Sequence, residues 1–152
     1  MSLGAERIAE YREKGHLTVS AVFPPERVDA AIADAEAWSR ELLAEMPEAD
    51  KAWYVDGKVE GAAVLRKIDQ PVFHREVFRE LARDPALVAM VHDLIGPDPG
   101  VYFSQVFMKP ARGGGPKPAH QDNAYFGPND TEGVVTVWVA LDDADEGNGC
   151  LF

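Results

Sequence analysis

The chain is short of cysteine, of cations and of long apolar runs, and each shortage removes a class of function. Its single cysteine, Cys150, has no partner for an internal disulfide and suits a reducing compartment. Lys and Arg number 15 against 26 Asp and Glu, a net charge of −11, and the cations form no run. Nucleic acid and anionic membranes are held by Lys and Arg in number, so neither is an expected partner. A solvated acidic surface accounts for the charge. The longest apolar run, Val134 to Leu141, falls well short of the roughly 20 residues that cross a bilayer. The first residues carry no signal-peptide pattern, so a cytoplasmic protein is expected.

What is present suits one domain of 152 residues with a core of its own. Residues 4–14 read as a helix stopped by Gly15, and His16 to Val19 as a short strand. Pro24-Pro25-Glu26 opens a helix to about Glu45, with Val28, Ile32, Ala35, Leu42 and Met46 as its apolar stripe. Residues 48–61 read as a loop or loose hairpin turning at Asp56-Gly57, and Ala62 to Ile68 as a strand. Val72 to Ala82 and Ala86 to Ile95 read as two more helices. The second has Asp84 as cap, Pro85 at its first position and Gly96 beyond its end; Leu87, Val88, Val91, Leu94 and Ile95 form its buried stripe. From Val101 the texture turns to strands, over Val101–Met108 and Val134–Leu141. Helices over about 4–97 followed by strands over about 98–152 indicate an α+β fold.

The chemistry concentrates in His120-Gln121-Asp122. In an extended chain, side chains at i and i+2 share a face. His120 and Asp122 can then offer an imidazole nitrogen and a carboxylate oxygen to one ion, two positions of the 2-His-1-carboxylate triad of non-haem Fe(II) oxygenases. The pattern alone is common, and an ordinary surface ion pair satisfies it equally. His16, His74 and His92 lie far from this pair in sequence and read as surface or packing histidines.

The residues around the pair make the pattern specific. Lys109-Pro110, the loop Gly113-Gly114-Gly115-Pro116, His120-Gln121-Asp122, the aromatic pair Tyr125-Phe126, Val137-Trp138-Val139-Ala140-Leu141-Asp142-Asp143 and Asn148-Gly149-Cys150-Leu151 follow in order. This order resembles the phytanoyl-CoA dioxygenase family of Fe(II)- and 2-oxoglutarate-dependent oxygenases, from about Tyr11 to the last residue. The resemblance implies a double-stranded β-helix, a jelly-roll, cupin-like barrel braced by N-terminal helices. It implies iron held by His120 and Asp122, 2-oxoglutarate as cosubstrate, and hydroxylation of a small organic substrate by molecular oxygen. Asp122 argues for hydroxylation, because related halogenases carry a small residue there. Lys67, Gln105, Gln121 and Trp138 match cosubstrate contacts of the family, and Tyr125 and Phe126 are candidates for the substrate entry. Lys109 could lend a positive charge at the site's edge. Several of these have a plainer reading: Lys67 as a solvated strand cation, Trp138 as a core aromatic, Tyr125 and Phe126 as a cover over the barrel end, Lys109 as a strand terminus. The family's second iron histidine and its 2-oxoglutarate-anchoring basic residue have no counterpart before Phe152. The chain is therefore expected to be the N-terminal part of a longer oxygenase, with the C-terminal half of the barrel missing. A non-catalytic binding or assembly module of this fold is the alternative, and a cupin-like metal enzyme without 2-oxoglutarate a third reading.

Overall fold

In the computed structural model, residues 2–59, 62–109, 118–128, 130 and 132–151 are described. The Gly/Pro loop 113–116, Pro110, Lys117 and Phe152 lie outside them. Helix α1, Ala5–Lys14, ends where Gly15 turns left-handed at φ 76° and donates its N–H to the Tyr11 carbonyl. The expected strand at His16–Val19 does not form. A strand needs a neighbour's backbone, and here the Thr18 carbonyl is taken by the Arg7 guanidinium instead.

Helix α2, Pro25–Glu45, carries the core. Its buried positions are Ala31 and Ala35, flanked by half-buried Trp38, Leu42, Leu43 and Met46. The stripe is thus turned from the one that the bulky residues Val28 and Ile32 suggested. Two alanines one turn apart let another element approach closely, and Leu65 and Ile68, both fully buried, fill that space with Phe78, Leu81 and Val106. Burying a side chain of the Leu65 or Ile68 kind contributes roughly 1.5–3 kcal/mol.

The segment expected as a loop or loose hairpin begins as helix α3, Glu48–Tyr54. Glu48 and Asp50 stand in its first turn, where the helix dipole favours negative charge. It runs into a true hairpin, β1 (Val55–Val59) antiparallel to β2 (Ala62–Leu65), with the register shifting between Val55 and Lys58. The single strand expected over Ala62–Ile68 is broken at Arg66. Beyond it β3, Lys67–Asp69, belongs to a second sheet with β4, Gln105–Phe107. Arg66 joins the two: its N–H donates to Tyr54 and its carbonyl accepts from Met108, both at 2.9 Å. In the second sheet Lys67 pairs with Phe107, Ile68 with Val106 and Asp69 with Gln105.

The helix expected over Val72–Ala82 is two, α4 (Pro71–His74) and α5 (Glu76–Ala82). The break is at Arg75, which is extended (φ −126°) and grips Asp34 of α2 through two nitrogens at 2.6 and 2.9 Å. Helix α6, Pro85–Ile95, has the expected cap: the Asp84 carboxylate accepts from the N–H groups of Ala86 and Leu87. Its buried residue is Met90, and the anticipated stripe is only half-buried, with Val88 exposed.

The strands expected after Val101 reduce to β4. Among the described residues, 134–141 find no ladder partner, and two two-stranded antiparallel sheets are the whole of the β structure. The fold is mixed α and β, and the described residues do not display a double-stranded β-helix. No described helix is long and apolar enough to cross a membrane.

Candidate metal centre

His120 and Asp122 meet, though not by strand alternation. Gln121 between them is extended (φ −115°, ψ 125°), and Asp122 opens a short helix, α7 (Asp122–Phe126), closed by left-handed Gly127. The His120 Nε2 lies 3.4 Å from Asp122 Oδ1. Its other nitrogen, Nδ1, is 2.8 Å from the Pro118 carbonyl oxygen. A carbonyl can only accept, so Nδ1 carries a proton, and in the neutral ring Nε2 is then the nitrogen with a lone pair to offer. In that form a lone pair and a carboxylate face each other across 3.4 Å, a disposition open to a shared cation.

The donors suit a metal. Two cis ligands each about 2.1 Å from an octahedral ion stand about 3 Å apart, close to the separation found. A ring nitrogen committed to a backbone carbonyl is the usual support for a metal-bound histidine. The carboxylate has support too: Asp122 Oδ2 accepts from the Thr136 hydroxyl at 2.9 Å. Tyr125 lies edge-on to the imidazole with ring centres 5.8 Å apart. Both side chains are part-exposed, at 40% and 37%, so solvent and solutes reach them. Among the described residues no third His, Cys, Asp or Glu joins the pair. His16 is near the Lys14 carbonyl, His74 packs on the Trp38 ring and His92 adjoins Asp93, all consistent with local roles.

A second polar cluster forms on the β3–β4 sheet. The Lys67 ammonium is 3.2 Å from Asp69 Oδ2, and the Gln105 side-chain amide donates to Asp69 Oδ1 at 2.5 Å. The Tyr54 hydroxyl donates to Oδ2 at 3.2 Å. The same ammonium lies 5.6 and 5.3 Å from the ring centres of Trp53 and Tyr54. Burial, then the Asp69 charge, pushes the Tyr54 phenol above its usual range, so it stays a donor. Two of the residues singled out from the sequence, Lys67 and Gln105, are thus brought onto one carboxylate.

A sequence model described as phytanoyl-CoA dioxygenase matches residues 11–152. The chain belongs to the phytanoyl-CoA dioxygenase family. It is 36% identical over 95 residues to an L-proline trans-4-hydroxylase of Streptomyces griseoviridis, covering 60% of this chain and 35% of that protein. It is 33% identical over 79 residues to phytanoyl-CoA dioxygenase domain-containing protein 1 of Mus musculus, covering 52% of this chain and 27% of that protein. The matched stretches therefore span about a third or less of these relatives. No solved structure matches.

Of the remaining candidates of this family member, Tyr125 touches the His120 ring, and the others make no side-chain contact to either cluster among the contacts described. Gln121 is exposed and caps α7 with its backbone alone. Trp138 is 52% exposed, so it is not the buried core aromatic of the plainer reading. Tyr125 is 75% exposed, whereas Phe126 packs edge-on to Tyr102 and tilted against Phe103. Lys109 donates to the Gly149 carbonyl at 2.7 Å, tying the end of β4 to the Asn148-Gly149 turn. Three residues of these two clusters escaped the sequence reading: Asp69, Tyr54 and Thr136. Asp69 was within reach, since Lys67 and Asp69 share the i, i+2 spacing that singled out His120 and Asp122. Nothing in the sequence couples Thr136 to Asp122.

Proposed function

We propose that this chain carries the iron-binding and cosubstrate-binding part of an Fe(II)- and 2-oxoglutarate-dependent hydroxylase. The observation that carries the reading is the His120–Asp122 pair, with Nδ1 committed to Pro118 and Nε2 facing Oδ1. His120 Nε2 and Asp122 Oδ1 would hold the metal. When bound, Fe(II) supplies the redox chemistry that couples oxidative decarboxylation of 2-oxoglutarate to hydroxylation of a substrate carbon. Lys67 offers the cosubstrate a positive charge, already oriented by Asp69 and two rings, and Gln105 an amide whose direction Asp69 fixes. Gln121 and Trp138, both solvent-facing, complete the proposed cosubstrate contacts, and Tyr125 and Phe126 border the substrate entry. The family is cupin-like, and a jelly-roll barrel is the frame in which these pieces would close. The substrate is a small organic molecule; the name of the Streptomyces relative points to the amino-acid class. A reducing, cytoplasmic setting suits both Fe(II) and the free Cys150.

The alternative is a non-catalytic binding or assembly module of the same fold. Oxygen consumption separates the two. With Fe(II) present, uptake that rises with added 2-oxoglutarate is expected, and Lys67→Met should raise KM for 2-oxoglutarate about tenfold, equivalent to about 1.4 kcal/mol of binding. No uptake above the Fe(II) background in folded protein would leave the binding module as the better account, and uptake indifferent to 2-oxoglutarate would point instead to a metal enzyme that does without it.

A further inference from the structure

We propose that Thr136 is a positioning residue for Asp122, selecting which carboxylate oxygen is presented to the metal. The inference rests on the metal site proposed above and extends it to a residue outside the ligand set. An aspartate's last torsion is soft and nearly two-fold, so a free carboxylate exchanges its oxygens or turns both toward one ion. Asp122 is not free. Its Oδ2 accepts from the Thr136 hydroxyl at 2.9 Å, while its Oδ1 is the oxygen facing His120 Nε2 at 3.4 Å. One oxygen is held by the hydroxyl and the other turned toward the imidazole. Held this way, Asp122 would offer a metal ion Oδ1 in preference to both oxygens.

Threonine suits the task because its β-branch restricts the torsion that swings the hydroxyl. The contact spans 14 residues of sequence, linking the start of α7 to the apolar run that follows it. Thr136 is exposed, so replacing it disturbs no buried packing. Outer partners of metal ligands commonly change metal affinity by about 10–100-fold.

The test is titration with Mn(II), read by loss of the free-ion electron paramagnetic resonance signal, and needs no turnover. Wild type is compared with Thr136→Val, which keeps the shape and removes the hydroxyl, Thr136→Ala, which adds no apolar group, and Thr136→Ser, which restores the hydroxyl. The expected result is Mn(II) binding weakened about 10–100-fold in Val and Ala and within about threefold of wild type in Ser. Wild-type affinity in Thr136→Val or Thr136→Ala would overturn the inference while leaving the metal site intact. So would a Ser variant as weak as Val, since the loss would then belong to the methyl group. No Mn(II) binding in wild type would remove the metal site and this inference with it, a result distinct from the other two.

Discussion

At the scale of single residues, the positions that matter are those whose geometry admits few alternatives. Gly149 is one. Its φ of 95° lies in the region L side chains avoid, and a Cβ there would come 2.7 Å from the Lys109 ammonium that holds its own carbonyl. Gly149→Ala should cost about 1–2 kcal/mol, from left-handed strain together with loss of the Lys109 contact. Urea unfolding of the variant beside wild type measures this, and an unchanged midpoint would contradict it. The turn was legible in Gly147-Asn148-Gly149; the lysine that makes its last glycine necessary was not, because Lys109 is remote in sequence. The same division holds at the candidate site. The His120–Asp122 spacing pointed to the pair, but the sequence placed it on a strand. The structure makes the contact through an extended residue and a helix start.

At the scale of elements, local signals were reliable where an element is made by its own caps and misleading where a distant side chain intervenes. Helix α6 was readable from Asp84, Pro85 and Gly96. Helices α4 and α5 were not separable, because the break at Arg75 is made by its pairing with Asp34 of another helix. The apolar run 134–141 reads as a strand by composition, yet a strand is a property of two segments, and its partner is not written in its own residues. Asp84 yields the prediction at this scale. It caps α6 and also accepts from Arg27 of α2, whose hydrogen bond, ahead of those from the Ala86 and Leu87 N–H groups, holds its carboxyl below the ordinary carboxylate value of 3.8. Asp84→Ala should cost about 1–2 kcal/mol at neutral pH. Because the folded-state value is depressed, this stability is present above the unfolded value and is lost as pH falls through the folded one. The gap between wild type and variant in chemical unfolding should therefore be widest above about pH 5 and close under more acidic conditions. A gap that stays constant through the acid range would show that the carboxylate charge is not involved.

At the scale of the whole molecule, one core ties α2 and α5 to residues of β2, β3 and β4. The Lys67–Asp69–Gln105 cluster lies on the second sheet and is tied into this core through Ile68 and Val106. Family membership was legible because its motifs are short and ordered along the chain. The barrel those motifs imply was not recoverable from the described residues, since closing a sheet needs a neighbour for every strand. Whether His120 and Asp122 hold iron together with 2-oxoglutarate decides the proposed function. Anaerobic addition of Fe(II) and 2-oxoglutarate to wild type, His120→Ala and Asp122→Ala, followed by visible absorption, tests this directly. The prediction is a weak charge-transfer band in wild type that is absent from both variants. A folded wild-type protein without the band, or variants that retain it, would contradict the assignment.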